Sequence, residues 1–150
     1  FNKAILVKSV CEKIVSALKK VYADRDIVVS INIDEAASFR GDEGDLMELL
    51  GNLLDNAFKY GGDEIHVFAK GNASSLVLSI EDKGAGMTAN EKMQLVRRGE
   101  RADTAMPGQG IGLAVVNDIV ASYGGEILLE DSCLGGLRVS LSFNWQGLPR

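Results

Sequence analysis

The chain has 150 residues, 46% of them hydrophobic and 25% charged, and a formal net charge of −5. This composition is typical of one globular domain, residues 1–150, and the lack of a basic stripe in the sequence argues against a nucleic-acid-binding module. The two cysteines, Cys11 and Cys133, lie far apart in sequence with no other Cys or His at metal-ligand spacing, so neither a zinc site nor a disulfide framework is predicted.

Two features of the sequence bear on where the domain is located, and a third bears on how much of the protein it represents. No apolar run approaches the roughly 18 residues of a membrane span, so no membrane contact is expected of this domain. Unpaired cysteines favour the reducing cytoplasm. Because the sequence begins with Phe1 rather than Met, we expect it to be part of a longer protein.

Hydrophobic periodicity predicts three main helices and a short fourth one. The main helices are expected at residues 3–23, 43–60 and 111–123, and the short helix at 90–98. Alternating and β-branched runs predict five strands, at residues 27–33, 64–70, 76–82, 126–131 and 137–143. The remaining segments are an extended piece around Phe39-Arg40, a glycine-bearing loop at 83–90 and an aperiodic loop at 99–109.

The order of these elements indicates an α+β fold, a two-layer α/β sandwich. The last four strands fall into two hairpins, one turning at Gly71-Asn72 and the other around Cys133 and Gly135-Gly136. About five strands should therefore form a mixed, mostly antiparallel sheet with the three main helices on one face. The order is not a βαβ repeat, which excludes the usual nucleotide-binding folds.

The helix at 43–60 carries a polar stripe that is unusual in its composition. At about 100° per residue, one narrow face collects Glu48, Asn52, Asp55, Asn56 and Lys59. Asn is a poor helix former, so two asparagines one turn apart in mid-helix indicate a function. Their amide oxygens suit Mg²⁺, which keeps several waters and bridges to phosphate. The alternative is an ordinary solvated helix face.

A glycine-rich segment opens the helix at 111–123. Gly108, Gly110 and Gly112 lie where free backbone N–H groups and the positive end of the helix dipole favour a phosphate. Leu113 stands where a dinucleotide fingerprint needs its third glycine, and no Walker loop is present in the sequence. The alternative is that these glycines only ease the loop into tight helix packing.

A second glycine segment follows the strand at 76–82. The carboxylate of Asp82 can accept a hydrogen bond from the six-amino group of adenine, whereas the oxygen of guanine would be repelled. Gly84 and Gly86 permit positive φ angles and close approach of a flat ligand to the backbone. The alternative is a plain Asp-Gly turn.

Together these segments resemble the ATP-binding domain of sensor histidine kinases, in the GHKL or Bergerat family that also contains gyrase B, Hsp90 and MutL. The resemblance covers nearly the whole chain through an N box and three glycine boxes: Glu48-x-x-x-Asn52-x-x-x-Asn56 with Lys59-Tyr60, Asp82-x-Gly84-x-Gly86, Gly108-x-Gly110-x-Gly112-Leu113 and Gly135-Gly136. The stretch from Arg98 through Arg101 and Asp103 to Gly110 resembles PhoQ-type kinases in particular.

The resemblance implies a site for ATP and Mg²⁺. Asn52, Asn56 and Gln109 would hold the metal, while Lys59, Arg98 and Arg101 would neutralise phosphate charge. The other nucleotide-binding positions would be Tyr60, Asp82, Gly84, Gly86, Gly110, Ile111, Gly112 and Leu113. Asn52 and Lys59 would also serve the transfer step, and Glu48 stands where gyrase-like relatives keep a catalytic glutamate. The loop at 99–109 would be a lid that becomes ordered when nucleotide binds.

The resemblance also implies a catalytic domain separated from its phosphoacceptor. Kinases of this family phosphorylate a histidine on a helical dimerisation domain and act on a response regulator. The only histidine of this chain, His66, lies on the strand at 64–70 opposite Ile65 and Val67, and lacks the acceptor box. We therefore expect a cytoplasmic domain of an inner-membrane sensor kinase. The alternatives are an ATPase of the gyrase, Hsp90 or MutL type and a nucleotide-binding module without kinase activity.

Overall fold

The computed structural model describes residues 3–86, 88, 90 and 109–146, and of residues 109–112 it describes the backbone alone. Three helices and seven strands lie within these ranges. In chain order they are β1 (Ala4–Leu6), α1 (Val7–Val21), β2 (Val28–Ile33), β3 (Ser38–Arg40), α2 (Glu43–Tyr60), β4 (Glu64–Gly71), β5 (Ser75–Asp82), α3 (Gln109–Ser122), β6 (Glu126–Asp131) and β7 (Leu137–Asn144).

Five of the strands form one mixed sheet in the order β2-β4-β5-β7-β6. The β4/β5, β5/β7 and β6/β7 pairs are antiparallel, as predicted for two hairpins laid side by side. The β2/β4 pair is parallel, so β2, α2 and β4 make a single βαβ connection, which does not repeat within the described residues. The predicted fold class and the five-stranded, mostly antiparallel sheet are confirmed.

The hydrophobic core lies on one face of this sheet. On β4, Ile65, Val67 and Ala69 are buried, and each of α1, α2 and α3 contacts a strand of the sheet. On the opposite face Phe68 is 40% exposed and Val77 is 42% exposed. Side chains of a strand alternate between the two faces, so the helices in the described part of the chain cover one face only.

The prediction was wrong at the start of the first helix. Residues 4–6 form β1, which pairs with β3 in antiparallel register from Ala4↔Arg40 to Leu6↔Ser38, and α1 begins at Val7 rather than at residue 3. The N–H of Val7 donates to the carbonyl oxygen of Ala37 at 3.1 Å. Partners 30 or more residues away therefore decide the conformation of the first residues, and the periodicity of a local segment carries no information about them.

Elsewhere the predicted elements agree closely with the observed ones. The helix at 43–60 matches α2 at both ends, and the five sheet strands agree to within one residue at each end. The predicted helix at 90–98 and the loop at 99–109 fall almost entirely outside the described residues. Among those that are described, no helix is both long enough and apolar enough to cross a membrane.

Candidate functional site

The polar stripe of α2 is present as predicted, and its middle part is not an ordinary solvated face. Asn52, Asp55 and Asn56 are half-buried, whereas Glu48 and Lys59 at the two ends are exposed. The apolar side of the helix lies in the core, through Leu46, Leu49, Leu50, Leu53, Leu54, Ala57 and Phe58. Both α1 and α3 pack against α2. Because these polar side chains are half-buried, their rotamers are restricted and water satisfies fewer of their hydrogen-bonding groups. Their partners within the protein therefore show which atoms are left to bind a ligand.

Asn52 and Asn56 differ in how their amide groups are satisfied. Asn52 Nδ2 donates to the carbonyl oxygen of Glu48, one turn earlier, at 2.7 Å. This bond fixes the amide plane and leaves Oδ1 as the atom that can receive an outside ligand. Asn56 Nδ2 is buried, and no described residue accepts a hydrogen bond from it.

A buried amide without a partner costs free energy until an outside group pairs with it. Rotating the Asn56 amide by half a turn would exchange the buried nitrogen for a buried oxygen and would still require such a group. Magnesium phosphate offers both kinds of partner, a cation for an amide oxygen and phosphate oxygens for an amide NH₂. The side chains of Asn52 and Asn56 therefore fit a magnesium–phosphate group.

Asp55, between the two asparagines, links Lys59 to Tyr22, the residue directly after α1. The phenol of Tyr22 donates to Asp55 Oδ1 at 2.9 Å, and Lys59 Nζ lies 3.3 Å from Asp55 Oδ2. The spacing of Asp55 and Lys59 in the sequence is that of a helical ion pair. No sequence signal predicts the contact with Tyr22, because it joins residues 33 positions apart.

Arg25 holds the C-terminal end of α2, a contact that no local sequence signal predicts. Its guanidinium donates to the carbonyl oxygen of Phe58 and, at 2.9 Å, to that of Gly62. These carbonyl groups lie in the last turn of the helix and just beyond it, where the helix itself supplies no donors. A cation here also complements the negative end of the helix dipole. Arg25 therefore fixes the segment that contains Lys59 and Tyr60.

Asp82 lies at the end of β5, directly beside the end of α2. Its Oδ1 accepts hydrogen bonds from the backbone N–H of Gly84 at 3.0 Å and of Leu137 at 3.1 Å. Burial raises the pKa of Asp82, and the two backbone hydrogen bonds act in the opposite direction. Because both of these bonds end on Oδ1, Oδ2 is the oxygen suited to an outside donor such as the amino group of adenine.

The glycines around Asp82 allow three backbone segments to meet. A Cβ atom at Gly84 would collide with the carbonyl oxygen of Tyr60, and one at Gly136 would lie 2.6 Å from the carbonyl oxygen of Asp82. Gly86 has a φ of 74°, in the left-handed region that favours glycine. Gly84 thus allows the backbone after β5 to pack directly against the end of α2. This packing brings Tyr60, which is 40% exposed, next to the Asp82–Gly84 segment.

The glycine-rich segment leads into α3 two residues earlier than predicted. The helix begins at Gln109, so Gly110, Ile111 and Gly112 belong to its first turn, where backbone N–H groups have no partner within the helix. Leu113 is only 4% exposed and belongs to the core. Leu113 therefore anchors the start of α3 to the core. Three residues that the sequence analysis assigns to phosphate binding lie outside the described residues: Arg98, Arg101 and Gly108.

His66 lies on the face of the sheet opposite the helices. Its neighbours Ile65 and Val67 are buried on the helix side, whereas its own side chain is 38% exposed. His66 Nε2 lies 2.9 Å from Glu64 Oε2. The sheet therefore separates the imidazole of His66 from the polar stripe of α2.

Comparison with known proteins agrees with this arrangement. Residues 41–146 match the family described as histidine kinase-, DNA gyrase B-, and HSP90-like ATPase. Over 140 residues the chain is 43% identical to the two-component sensor PhoQ of Pseudomonas aeruginosa and 39% identical to the virulence sensor histidine kinase PhoQ of Salmonella typhimurium. These alignments cover 93% of the chain but 30% and 29% of the two relatives, so the chain spans less than a third of their length.

A solved structure with the same fold is that of the mycobacterial sensor histidine kinase MprB. It is similar with a TM-score of 0.79 and a sequence identity of 22%. The similarity covers 96% of this chain and 97% of the MprB chain. At this identity the comparison establishes the fold.

Proposed function

Because the chain belongs to the family of histidine kinase-, DNA gyrase B-, and HSP90-like ATPases, we propose that it is the ATP-binding catalytic domain of a PhoQ-like two-component sensor kinase. It binds Mg-ATP and delivers the γ-phosphate to a histidine on a separate dimerisation domain. The observation that carries this proposal is the half-buried pair Asn52 and Asn56, in which the Asn56 Nδ2 has no acceptor among the described residues. A site that is completed only by an outside oxygen-rich ligand suits magnesium phosphate.

The residues of α2 act by holding the phosphate end of the nucleotide. Asn52 and Asn56, with Gln109, would hold Mg²⁺, which would supply positive charge to offset that of the phosphates. Lys59 adds a second positive charge from the next turn, and Arg98 and Arg101 have the same role in this proposal. Phosphoryl transfer needs little covalent help from the protein, so positioning and charge account for most of the catalysis.

The base end of the nucleotide lies at Asp82. Oδ2 of Asp82 accepts a hydrogen bond from the adenine amino group, and Tyr60 packs beside the nucleotide. The carboxylate is held in place by Gly84 and Leu137, so it needs no rearrangement to meet the base. Asn56 and Asp82 therefore define the two ends of the proposed site.

The acceptor histidine belongs to another domain in this proposal. His66 is on the far side of the sheet from α2, which leaves this chain without a side chain to receive the γ-phosphate. The partners are the dimerisation domain of the same kinase and, through the complete kinase, a response regulator. In this proposal the complete kinase lies in the inner membrane and this domain lies in the cytoplasm.

The test is phosphate transfer between separate polypeptides. The chain is incubated with γ-labelled Mg-ATP and the dimerisation domain of the same kinase, and label that is labile in acid but stable in base is counted. We expect such label on the dimerisation domain with the unmodified chain and none with Asn56→Ala. Replacing the acceptor histidine of the dimerisation domain by glutamine is the control.

Absence of phosphate transfer would contradict the proposal. What the chain then does with ATP would distinguish the two alternatives. Steady hydrolysis of ATP without transfer would favour an ATPase of the gyrase, Hsp90 or MutL type, in which the exposed Glu48, one turn before Asn52, activates water. Mg-ATP binding without either reaction would favour a nucleotide-binding module.

A further inference from the structure

A chain of polar contacts connects α1 to the proposed phosphate end of the site. The phenol of Tyr22 donates to one oxygen of Asp55 at 2.9 Å, and Lys59 Nζ lies 3.3 Å from the other oxygen. The two contacts use opposite oxygens of a single carboxylate. The orientation that satisfies Tyr22 is therefore the one that directs the second oxygen at Lys59.

Besides its hydrogen bond to Asp55, Tyr22 is held by two contacts of its ring. Its ring stacks on Phe58 with the ring centroids 5.7 Å apart, and the guanidinium carbon of Arg25 lies 5.9 Å from the ring centroid of Tyr22. Arg25 in turn is fixed by its hydrogen bonds to the end of α2. Burial raises the pKa of Tyr22 to about 12, so the phenol keeps its proton at neutral pH and remains a donor.

Lys59 needs this support because its side chain is 47% exposed. An exposed ion pair between residues i and i+4 restricts a lysine only weakly, since long side chains exchange rotamers and solvent screens the charges. Once Asp55 is fixed by the phenol of Tyr22, at the end of α1, it offers Lys59 a stationary partner.

We propose, on the basis of the proposed function, that Tyr22 is a positioning residue for phosphate binding. It orients Asp55, and Asp55 holds the ammonium group of Lys59 where the nucleotide phosphates meet it. The geometry of α1 thereby influences how the domain binds the phosphates of ATP, although no residue of α1 contacts the nucleotide in this proposal.

The test compares two nucleotides, ATP and ADP, with the nucleoside adenosine, which has no phosphate. Tyr22→Phe keeps the ring that contacts Phe58 and Arg25 but removes the hydroxyl group. We expect affinity for Mg-ATP and Mg-ADP to fall about three- to tenfold, the effect of losing one hydrogen bond to a charged group that acts indirectly. Affinity for adenosine, measured by competition, should stay the same.

Tyr123→Phe is the matched control. The phenol of Tyr123 donates to Asp45 at 2.6 Å near the start of α2, so this variant also loses a phenol–carboxylate bond to the same helix. We expect it to change thermal stability without changing the ratio of Mg-ATP to adenosine affinity. A Tyr22→Phe variant that weakened Mg-ATP and adenosine by the same factor would show a structural role only and overturn the inference.

A double-mutant cycle with Lys59→Met supplies the decisive comparison. If Tyr22 acts through Lys59, Tyr22→Phe should have no further effect on Mg-ATP affinity in the Lys59→Met background. An undiminished effect there would overturn the inference. So would normal Mg-ATP affinity in Tyr22→Phe beside weakened affinity in Lys59→Met, and that result would leave the proposed function intact. An unmodified chain that binds no Mg-ATP would instead contradict the proposed function itself.

Discussion

Asn56 illustrates how a residue can reduce the stability of the fold and still suit a binding site. Its amide nitrogen is buried with no acceptor in the described part of the chain, and such a group costs about 1–3 kcal/mol when it is left unpaired. An apolar side chain would suit the folded protein better at this position. The presence of an asparagine is understandable if a ligand satisfies the amide, which is the ordinary trade-off between stability and function.

Asn56→Ala should therefore separate binding from folding. We expect Mg-ATP affinity to fall at least tenfold, because a metal–phosphate group would lose a contact comparable to a charged hydrogen bond. The free energy of unfolding without nucleotide should be unchanged or slightly higher, because an unpaired buried amide is removed. Calorimetry with Mg-ATP and urea denaturation measure the two quantities. Unchanged Mg-ATP affinity would rule out the ligand role of Asn56.

Asp82 should determine the choice of base. In Asp82→Asn the amide group still has an oxygen to accept the hydrogen bonds from Gly84 and Leu137, but its NH₂ replaces the second carboxylate oxygen. We expect lower affinity for ATP and a smaller preference for ATP over GTP, because the repulsion toward the guanine oxygen is removed. Competition binding of ATP and GTP to both forms is the measurement. Equal affinity of the unmodified chain for the two nucleotides would contradict the adenine role.

The same variant should reveal a pH dependence of stability. Burial raises the pKa of Asp82 in the folded state, so the folded protein binds this proton more tightly than the unfolded chain does. The stability contributed by the protonated carboxyl is then complete below the unfolded pKa and is lost as pH rises through the folded pKa. We expect the stability of Asp82→Asn relative to the unmodified chain to increase with pH across this window. Urea denaturation of both forms at several pH values tests this, and a difference that is independent of pH would contradict it.

At the scale of elements, the sequence predicts what depends on local pattern and fails where a distant partner decides. The bounds of α2 follow from its own periodicity and from the glycines after it. The start of α1 could not be predicted, because Ala4–Leu6 pairs with Ser38–Arg40. The same holds within the site: the stripe of α2 is visible in the sequence, but the contacts of Tyr22 and Arg25 with it join residues 33 or more positions apart.

The contact between Arg25 and the end of α2 should contribute measurably to stability. Arg25→Ala leaves the carbonyl groups of Phe58 and Gly62 without their donor, and we expect a loss of about 1–3 kcal/mol in the free energy of unfolding. Arg25→Lys should recover only part of it, because an ammonium group lacks the planar fork that reaches two carbonyls. Lys20→Ala, an exposed change in the last turn of α1, is the control. Urea denaturation showing that Arg25→Ala costs no more than Lys20→Ala would contradict this role.

At the scale of the whole molecule, the sheet divides the chain into two chemically different sides. The helix side contains the core and the polar stripe of α2. The other side contains His66 and an ion pair between Arg138 and Glu130, in which Nη2 of the arginine lies 2.5 Å from Oε1 of the glutamate. Sequence alternation predicts that His66 faces away from Ile65 and Val67. The structure adds that this direction is also away from α2, which depends on how the helices pack.

This division predicts that the isolated chain does not phosphorylate itself. The imidazole of His66 is on the far face of the sheet and beside Glu64 at 2.9 Å, so a γ-phosphate held at Asn52 and Asn56 cannot reach it. With γ-labelled Mg-ATP alone, the chain should hydrolyse nucleotide slowly at most and gain no acid-labile label. His66→Gln should bind Mg-ATP with the same affinity as the unmodified chain and should transfer phosphate equally well to a separate dimerisation domain. Acid-labile label on the isolated chain that disappears in His66→Gln would show instead that His66 accepts phosphate.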